Sequence, residues 1–432
     1  MSYVCFGSMW GDGEDVPFYP LFDIFFKYNV VFAGGFGDVS ELKTYYKVGT
    51  KIAVWDGAFI KAIGVAKSDF DSLDNLDINF LDEESSNFAI DETVLAAKVD
   101  LLRLEEIDFF KIGARPKKFS NIQGEKFKNI IDKLIKKYSG EKMKEEIINI
   151  LKNKKQIILQ GAPGTGKTYS SSEIAVKLID GNVPSDRAEL MKRYKELVDK
   201  EQIFFTTFHQ SMDYEEFVEG IKPKTINGNI TYELEDGIFK KACKSAENNK
   251  VVLIIDEINR GNISKIFGEL ITLLEVDKRK GKENEIEVIL PYSKEKFSAP
   301  DNLYIIGTMN TADRSIDYID YALRRRFAFI SIKADKLAIE NYYDNKNSDC
   351  KDKAINLFDE IKNLIDKNIN EEFEADDIMI GHSYFMAQNF EELQNKLEYE
   401  IKPLLLEYLK DGILKLNKDK DLKDTINNLN YE

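Results

Sequence analysis

The chain has 432 residues, 43% of them hydrophobic and 32% charged, and carries a formal net charge of −15. That length exceeds one ordinary core and implies two or three domains of a globular protein. No stretch approaches the ~20 apolar residues that a membrane span requires, and the opening segment has no basic region ahead of an apolar run, so neither an anchor nor a secretory signal is expected. Cys5, Cys243 and Cys350 are scattered, without CxxC or His/Cys metal spacing, which suits a reduced, cytoplasmic protein lacking structural zinc. The acidic balance argues against a protein that coats DNA generally, since non-specific duplex affinity comes from Lys and Arg on phosphates; any nucleic-acid contact must be local.

Residues 1–112 hold 20 acidic against 9 basic side chains. Their strand-like runs, Tyr3–Phe6, Val30–Ala33, Lys51–Trp55, Ile60–Ala66 and Lys98–Leu104, are β-branched or aromatic and separated by Gly and Asp. With a helix over Pro20–Lys27 and an acidic loop over Asp69–Glu92, this predicts a small strand-rich α+β or barrel-like domain. Residues 113–155 reverse the balance, with 13 bases against 5 acids. We read 113–142 as a basic linker containing a solvated lysine-rich helix around Phe127–Tyr138.

Short apolar strands then alternate with helices: Ile157–Gln160, Ile203–Thr207, Val251–Ile255 and Leu303–Gly307. That alternation predicts an α/β domain with a parallel sheet over 143–332. Beyond Ile332 the segments Ala354–Ile369, Phe390–Ile401 and Leu404–Leu416 have helical periodicity, so 333–432 is expected to form a helical lid with a frayed tail after Leu416.

Gly161-Ala162-Pro163-Gly164-Thr165-Gly166-Lys167-Thr168 is a complete P-loop between a strand and a helix. Its glycines let backbone N–H groups close around phosphates at a helix N-terminus. Lys167 is placed to reach the β- and γ-phosphates, and the Thr168 hydroxyl to ligate Mg²⁺. The strand Val251–Ile255 delivers two adjacent carboxylates at its C-terminal end, where ligands bind in open α/β sheets. Asp256 suits the magnesium ion, and Glu257 suits orienting or deprotonating the attacking water. The next strand leads into Thr308-Met309-Asn310-Thr311-Ala312-Asp313-Arg314, and Asp320-Tyr-Ala-Leu-Arg-Arg-Arg-Phe327 follows it.

Together these motifs resemble the McrB-type AAA+ proteins. The resemblance rests on Asp256-Glu-Ile-Asn-Arg-Gly-Asn262, Phe267-Gly-Glu-Leu270, Leu290-Pro-Tyr-Ser293, Gly307-Thr-Met-Asn-Thr-Ala-Asp-Arg-Ser315 and the arginine triplet. Phe208-His-Gln-Ser211, Tyr214-Glu-Glu-Phe217 and Ile380-Gly-His-Ser-Tyr-Phe385 extend it to roughly 145–410. It implies that Asn310 senses the γ-phosphate, with Asp313 and Arg314 extending that network, and that Arg325 or Arg326 acts on a neighbouring subunit's nucleotide. It also implies GTP as substrate, a homo-oligomeric (hexameric) ring, double-stranded DNA as target and a separate McrC-like nuclease subunit. Two departures stand out. No arginine follows Arg326, so the lid lacks the sensor-2 arginine of many AAA+ proteins, and no Asn-Lys-x-Asp motif reads guanine. No Asp…Glu-x-Lys nuclease core is evident, so cleavage needs another polypeptide.

The two histidines, His209 and His382, read as packed, hydrogen-bonded residues, since neither has a Ser or Cys partner for a triad. In the N-terminal region, Val48-Gly-Thr-Lys-Ile-Ala-Val-Trp55 and Ile60-Lys-Ala-Ile-Gly-Val65 resemble the EVE and YTH-like modules of the PUA-like class. Those modules imply a flipped modified base held by aromatic rings, and Trp10 and Trp55 are the rings available; the competing reading makes both core residues. A second class stays open for the whole chain, an ATP-dependent AAA+ protein remodeller whose N-terminal domain is a protein adaptor.

Overall fold

The computed structural model describes residues 2–7, 9–10, 19–33, 46–56, 59–72, 75–76, 95–111, 119–122, 124–184, 186–226, 229–312, 321–344, 350–415 and 422–431. They form two compact units, Met1–Lys144 and Glu145–Glu432.

The first unit is built on a sheet whose main path runs Val30–Ala33, Leu95–Arg103, Phe59–Ala66, Lys51–Asp56, Tyr3–Gly7, Phe119–Asn121. Tyr3–Gly7 pairs in parallel with Lys51–Asp56, and the other neighbours on the path are antiparallel. Alternation along these strands sends Val4, Phe6, Ile52 and Val54 into one core with the helix Phe22–Tyr28. It sends Tyr3, Cys5, Ala53 and Trp55 into a second core on the opposite face.

The basic stretch behaves differently from a linker. Phe119–Asn121 completes the sheet edge against Tyr3–Gly7. Glu125–Lys154 is one 30-residue helix that crosses the division after Lys144. In its first half, Ile131, Ile135 and Tyr138, with Phe127 and Leu134 beside them, cover the second core. Their i, i+3, i+4 spacing makes an apolar stripe despite the lysines between. Lysine count obscured that stripe, because long cationic stems leave the buried face unchanged.

The second unit carries a five-stranded parallel sheet in the order Ile203–Thr207, Val251–Asp256, Leu303–Asn310, Gln156–Gly161, Ala328–Ser331. Leu253, Ile255, Leu303 and Ile305 enter one core with Phe239, Ala242 and Cys243 of the helix Ile238–Ala246. Val252, Ile254, Tyr304 and Ile306 enter the other with Ile174, Ala175 and Leu178 of the helix Lys167–Asp180. Both faces are covered, which is why these strands read as continuous apolar runs rather than alternating ones. The expected α/β sheet is present, and the edge strand Ala328–Ser331, absent from the sequence reading, completes it.

Between Ile203–Thr207 and the helix Ile238–Ala246 stands a hairpin, Glu219–Ile226 with Asn229–Asp236. The Asn227-Gly228 pair between alternating runs is the signal that would have found it. Its base is tied by Lys240, buried and 2.8 Å from the buried Glu219. Glu219 Oε1 in turn accepts from the backbone N–H groups of Tyr292 and Ser293 at 3.0 and 2.9 Å. The motifs around Tyr214 and Leu290 thus meet in one bracket that holds the hairpin's root.

The C-terminal part is helical. Ala354, Leu357, Phe358, Ile361, Leu364 and Ile365 line one face of Lys351–Asn368 and pack with Leu393, Leu397, Ile401, Leu405 and Tyr408. All five belong to a continuous run in which Phe390–Lys396 passes through a π turn, Leu397–Ile401, into Lys402–Lys410. Pro403, which has no N–H to donate to the ladder, stands directly after the π turn within that run. Among the described residues no helix is long and apolar enough to cross a membrane.

Candidate active site

The strand order puts Gln156–Gly161 next to Leu303–Asn310, with Val251–Asp256 beyond it. Register pairs Gly161 with Asn310, and Thr207 with Asp256. The P-loop, both carboxylates and Asn310 therefore emerge at the same C-terminal edge of the sheet.

In the loop, Gly164 and Gly166 have φ of 78° and 81°, a backbone only glycine adopts without strain. Gly166 is the N-cap of the helix Lys167–Asp180. Lys167 Nζ donates to the carbonyls of Gly161 and Ala162 at 3.0 and 2.8 Å, and Thr165 Oγ1 donates to the Ala162 carbonyl at 2.9 Å. Burial pulls the Lys167 ammonium down to about 8, while the Glu257 and Asp256 carboxylates oppose that shift. A bound phosphate would supply the countercharge that the loop carbonyls only partly provide.

Thr168 Oγ1 donates to Asp256 Oδ1 at 2.9 Å, and Thr308 Oγ1 donates to the same oxygen at 2.6 Å. Thr168 and Asp256 thus present hard oxygen donors side by side, a set that fits Mg²⁺. Thr308 also accepts from the Glu257 backbone N–H at 3.1 Å, so one hydroxyl fixes both carboxylate residues. Thr308 stands two residues before Asn310, which puts both on one face of the strand, and that spacing is the signal in the sequence that could have marked it.

Glu257 has φ 51° and ψ 46°, left-handed for a residue with a side chain. That conformation costs roughly 1–2 kcal/mol, and it turns the chain abruptly after the strand. The carboxylate is then held from two sides: Asn310 Nδ2 donates to Oε1 at 2.5 Å and Arg260 Nε to Oε2 at 3.2 Å. In the sequence Arg260 stands out only through its place in the Asp256–Asn262 motif. Asp313 and Arg314 lie outside the described residues.

Arg325 and Arg326 lie at the other end of the sheet. They precede Ala328, which pairs with Ile157, and Gly161 is four residues further along, ~13 Å at a strand's rise. The two differ sharply. Arg326 has an 8% exposed side chain with Nη2 2.6 Å from Glu275, and its carbonyl accepts from Gln156 Nε2 at 2.7 Å. Arg325 is 65% exposed and pairs with the same Glu275 oxygen at 2.7 Å. Lys278 is hydrogen-bonded to Glu275 as well, and with the two arginines it holds the Glu275 carboxyl down at about 2. A cleft of about 470 Å³ opens beside this cluster, lined by Lys154, Gln156, Lys282 and both arginines.

Of the two tryptophans, Trp55 is the one whose side chain is described. Trp55 is 4% exposed and packed among Tyr3, Ile60, Ile63 and Ile131, so a base cannot stack on it. The helix that covers this sheet face is what encloses it. Trp10 lies in a two-residue strand paired with Tyr19; its side chain is outside the described residues. Of the histidines, His209 is exposed beside the buried Phe208, whereas His382 lies against the P-loop.

Two families match. Residues 179–327 match the AAA domain of the dynein-related subfamily, and residues 355–417 match the McrB α-helical lid domain. The chain carries a McrB-like AAA domain and a McrB lid. It is 37% identical over 291 residues to the type IV methyl-directed restriction enzyme EcoKMcrB subunit of Escherichia coli strain K12. That alignment covers 63% of this chain and 58% of the relative, so the chain spans little more than half of that protein's length. It is 27% identical over 292 residues to the type II restriction enzyme BsuMI component YdiS of Bacillus subtilis strain 168, covering 60% of this chain and 79% of that one. The P-loop precedes the span matched to the AAA domain, and the strand–loop–helix geometry places it at that domain's sheet edge.

Proposed function

We propose that the chain is a GTP-hydrolysing AAA+ motor of a McrBC-type restriction complex, which engages modified double-stranded DNA and drives a separate McrC-like nuclease subunit. The observation that carries the hydrolytic reading is the strained backbone at Glu257, which aims its carboxylate across from the P-loop between Asn310 and Arg260. Lys167 moves from the loop carbonyls to the β- and γ-phosphates as the nucleotide binds. Glu257 orients the attacking water and takes its proton. Asn310 holds that carboxylate in line with one N–H and offers the other to the γ-phosphate, since its side-chain amide nitrogen carries two donors. Asp313 and Arg314 extend this network. Thr168 and Asp256 hold Mg²⁺, which when bound neutralises charge developing on the β- and γ-oxygens.

The arginines stand too far along the sheet to serve their own P-loop, which supports a hexameric ring in which each subunit completes its neighbour's site. The restriction role rests on the similarity to the methyl-directed restriction subunit, and the preference for GTP on the resemblance of the sequence motifs to McrB-type AAA+ proteins. The test is hydrolysis of GTP and ATP with Mg²⁺, alone and with the product of a neighbouring McrC-like reading frame. GTP turnover that the partner stimulates is expected; equal or faster ATP turnover refutes the GTP assignment. Glu257→Gln should bind nucleotide without turnover, and Lys167→Ala should not bind.

For residues 1–112 the burial of Trp55, together with the acidic charge, favours a second reading, in which this domain grips a protein and the motor is an ATP-dependent remodeller. Binding of the full chain to unmodified, 5-methylcytosine, hydroxymethylcytosine and N6-methyladenine duplexes separates the two. A strong preference for one modification supports DNA reading; uniform weak binding supports the adaptor.

A further inference from the structure

The lid segment Gly381–Tyr384 is laid directly on the P-loop. Gly381 N–H donates to the Pro163 carbonyl at 3.0 Å and Ser383 N–H to the Gly164 carbonyl at 3.1 Å. The approach is so close that a Cβ on Gly381 would stand 1.9 Å from the Gly164 carbonyl carbon. A Cβ on Gly164 would meet the Tyr384 ring at 2.6 Å. Backbone contacts on both sides therefore pin His382 to the rim of the loop. Its Nε2 lies 3.4 Å from where a Cβ on Gly166 would stand, at the N-cap of the helix that receives the phosphates.

The other ring nitrogen is already committed. His382 Nδ1 accepts from the Asp335 backbone N–H at 3.3 Å, and an accepting Nδ1 leaves the proton on Nε2 in the neutral ring. Burial lowers the affinity of this imidazole for a second proton, so the neutral tautomer is the one present near pH 7. The nitrogen beside Gly166 is thus an N–H donor. The chain has no arginine after Arg326, so no lid guanidinium can reach the nucleotide. Among the nearby lid residues, Lys396 Nζ donates to the Ser383 carbonyl at 3.1 Å, and Asp376 is paired with Lys333 at 2.6 Å.

We propose that His382 is the lid's own contact to the bound nucleotide, its Nε2–H donating to a phosphate oxygen in the loop where a lid arginine is missing. This rests on the nucleotide reading above and adds a residue to it. The contact is a neutral donor in a fixed tautomer, so it reports phosphate occupancy to the lid through Gly381 and Ser383 without placing a second cation beside Lys167.

The experiment measures equilibrium binding of GTPγS, with ATPγS in parallel, to the full chain and its His382→Ala, His382→Phe and His382→Gln variants in Mg²⁺. A hydrogen bond to a charged oxygen is worth about a ten- to hundredfold change in affinity. The Ala and Phe variants should weaken by that factor with the unliganded melting temperature unchanged, and Gln, which keeps an N–H, should recover most of the loss. A packing role predicts the reverse order, with Phe near wild type and Gln poor, and that result overturns the proposal. So does affinity within threefold of wild type in all three variants. If the wild-type chain binds neither nucleotide, the nucleotide reading fails as well; if it binds and Phe matches it, this inference fails alone.

Discussion

Arg325 and Arg326 are adjacent in the chain yet should fail in different ways. Arg326 is almost enclosed, its guanidinium on Glu275 and its carbonyl on Gln156. Gln156 is fixed from its other end by the fully buried Arg279, whose Nη2 donates to Oε1 at 2.9 Å. Breaking a buried pair costs about 3–5 kcal/mol. Glu275 is 20% exposed and keeps Arg325 and Lys278, so Arg326→Ala should cost less, about 2–3 kcal/mol. For a unit of this size that is a drop in melting temperature of about 5 °C. Arg325 is mostly in solvent, and its pair is worth at most about 1 kcal/mol. Its loss should leave stability and nucleotide affinity near wild type. Turnover, in contrast, should fall by roughly three orders of magnitude or more, the range for an arginine supplied in trans. Scanning calorimetry and steady-state hydrolysis at saturating GTP and ATP, run on both variants, separate the effects. Equal loss of stability in the two, or an Arg325→Ala protein that keeps more than a tenth of wild-type turnover, would show the assignment of roles to be wrong.

Lys240→Ala leaves Glu219 buried without its cation and should cost about 3–5 kcal/mol, read as a lowered midpoint in urea denaturation. Gly381→Ala forces the lid off the P-loop; nucleotide affinity should drop at least tenfold, and limited proteolysis should cut faster between 332 and 350, with an unchanged rate counting against lid docking. Trp55→Ala should destabilise residues 1–144 by about 3–5 kcal/mol, as for other buried aromatics, measured as loss of the domain's own unfolding transition. Glu275 has its folded pKa depressed to about 2, so its contribution is fully present above the ordinary carboxylate range and lost as pH falls from about 4.5 toward 2. After screening of this partly exposed group, that contribution is about 1–2 kcal/mol. Glu275→Gln should therefore be less stable than wild type at pH 7, with the difference shrinking below about pH 4.5 and closing only at about pH 2; a constant difference across that range would exclude the ion pairs as its cause.

The nucleotide-binding half is legible in the sequence because its signals are local. A P-loop must be a strand, a glycine turn and a helix in sequence, and Asp256-Glu257 must follow an apolar strand to reach the same edge. Four of the five parallel strands announced themselves as continuous apolar runs, since a sheet covered on both faces demands them. Ala328–Ser331 did not, because four half-buried residues at a sheet edge carry too little pattern. Register and burial were set by tertiary structure alone. The sequence places Arg325 and Arg326 on equal terms, and only the fold around Glu275 and Gln156 encloses one and exposes the other. Trp55 could serve a pocket or a core until the stripe Ile131, Ile135 and Tyr138 closed over its sheet face. His382 lies 216 residues from Gly166, and no spacing rule predicts that the lid folds back to set Nε2 beside it. Contacts between distant segments depend on how whole elements pack, and that information is spread over every residue of both cores rather than written at the site.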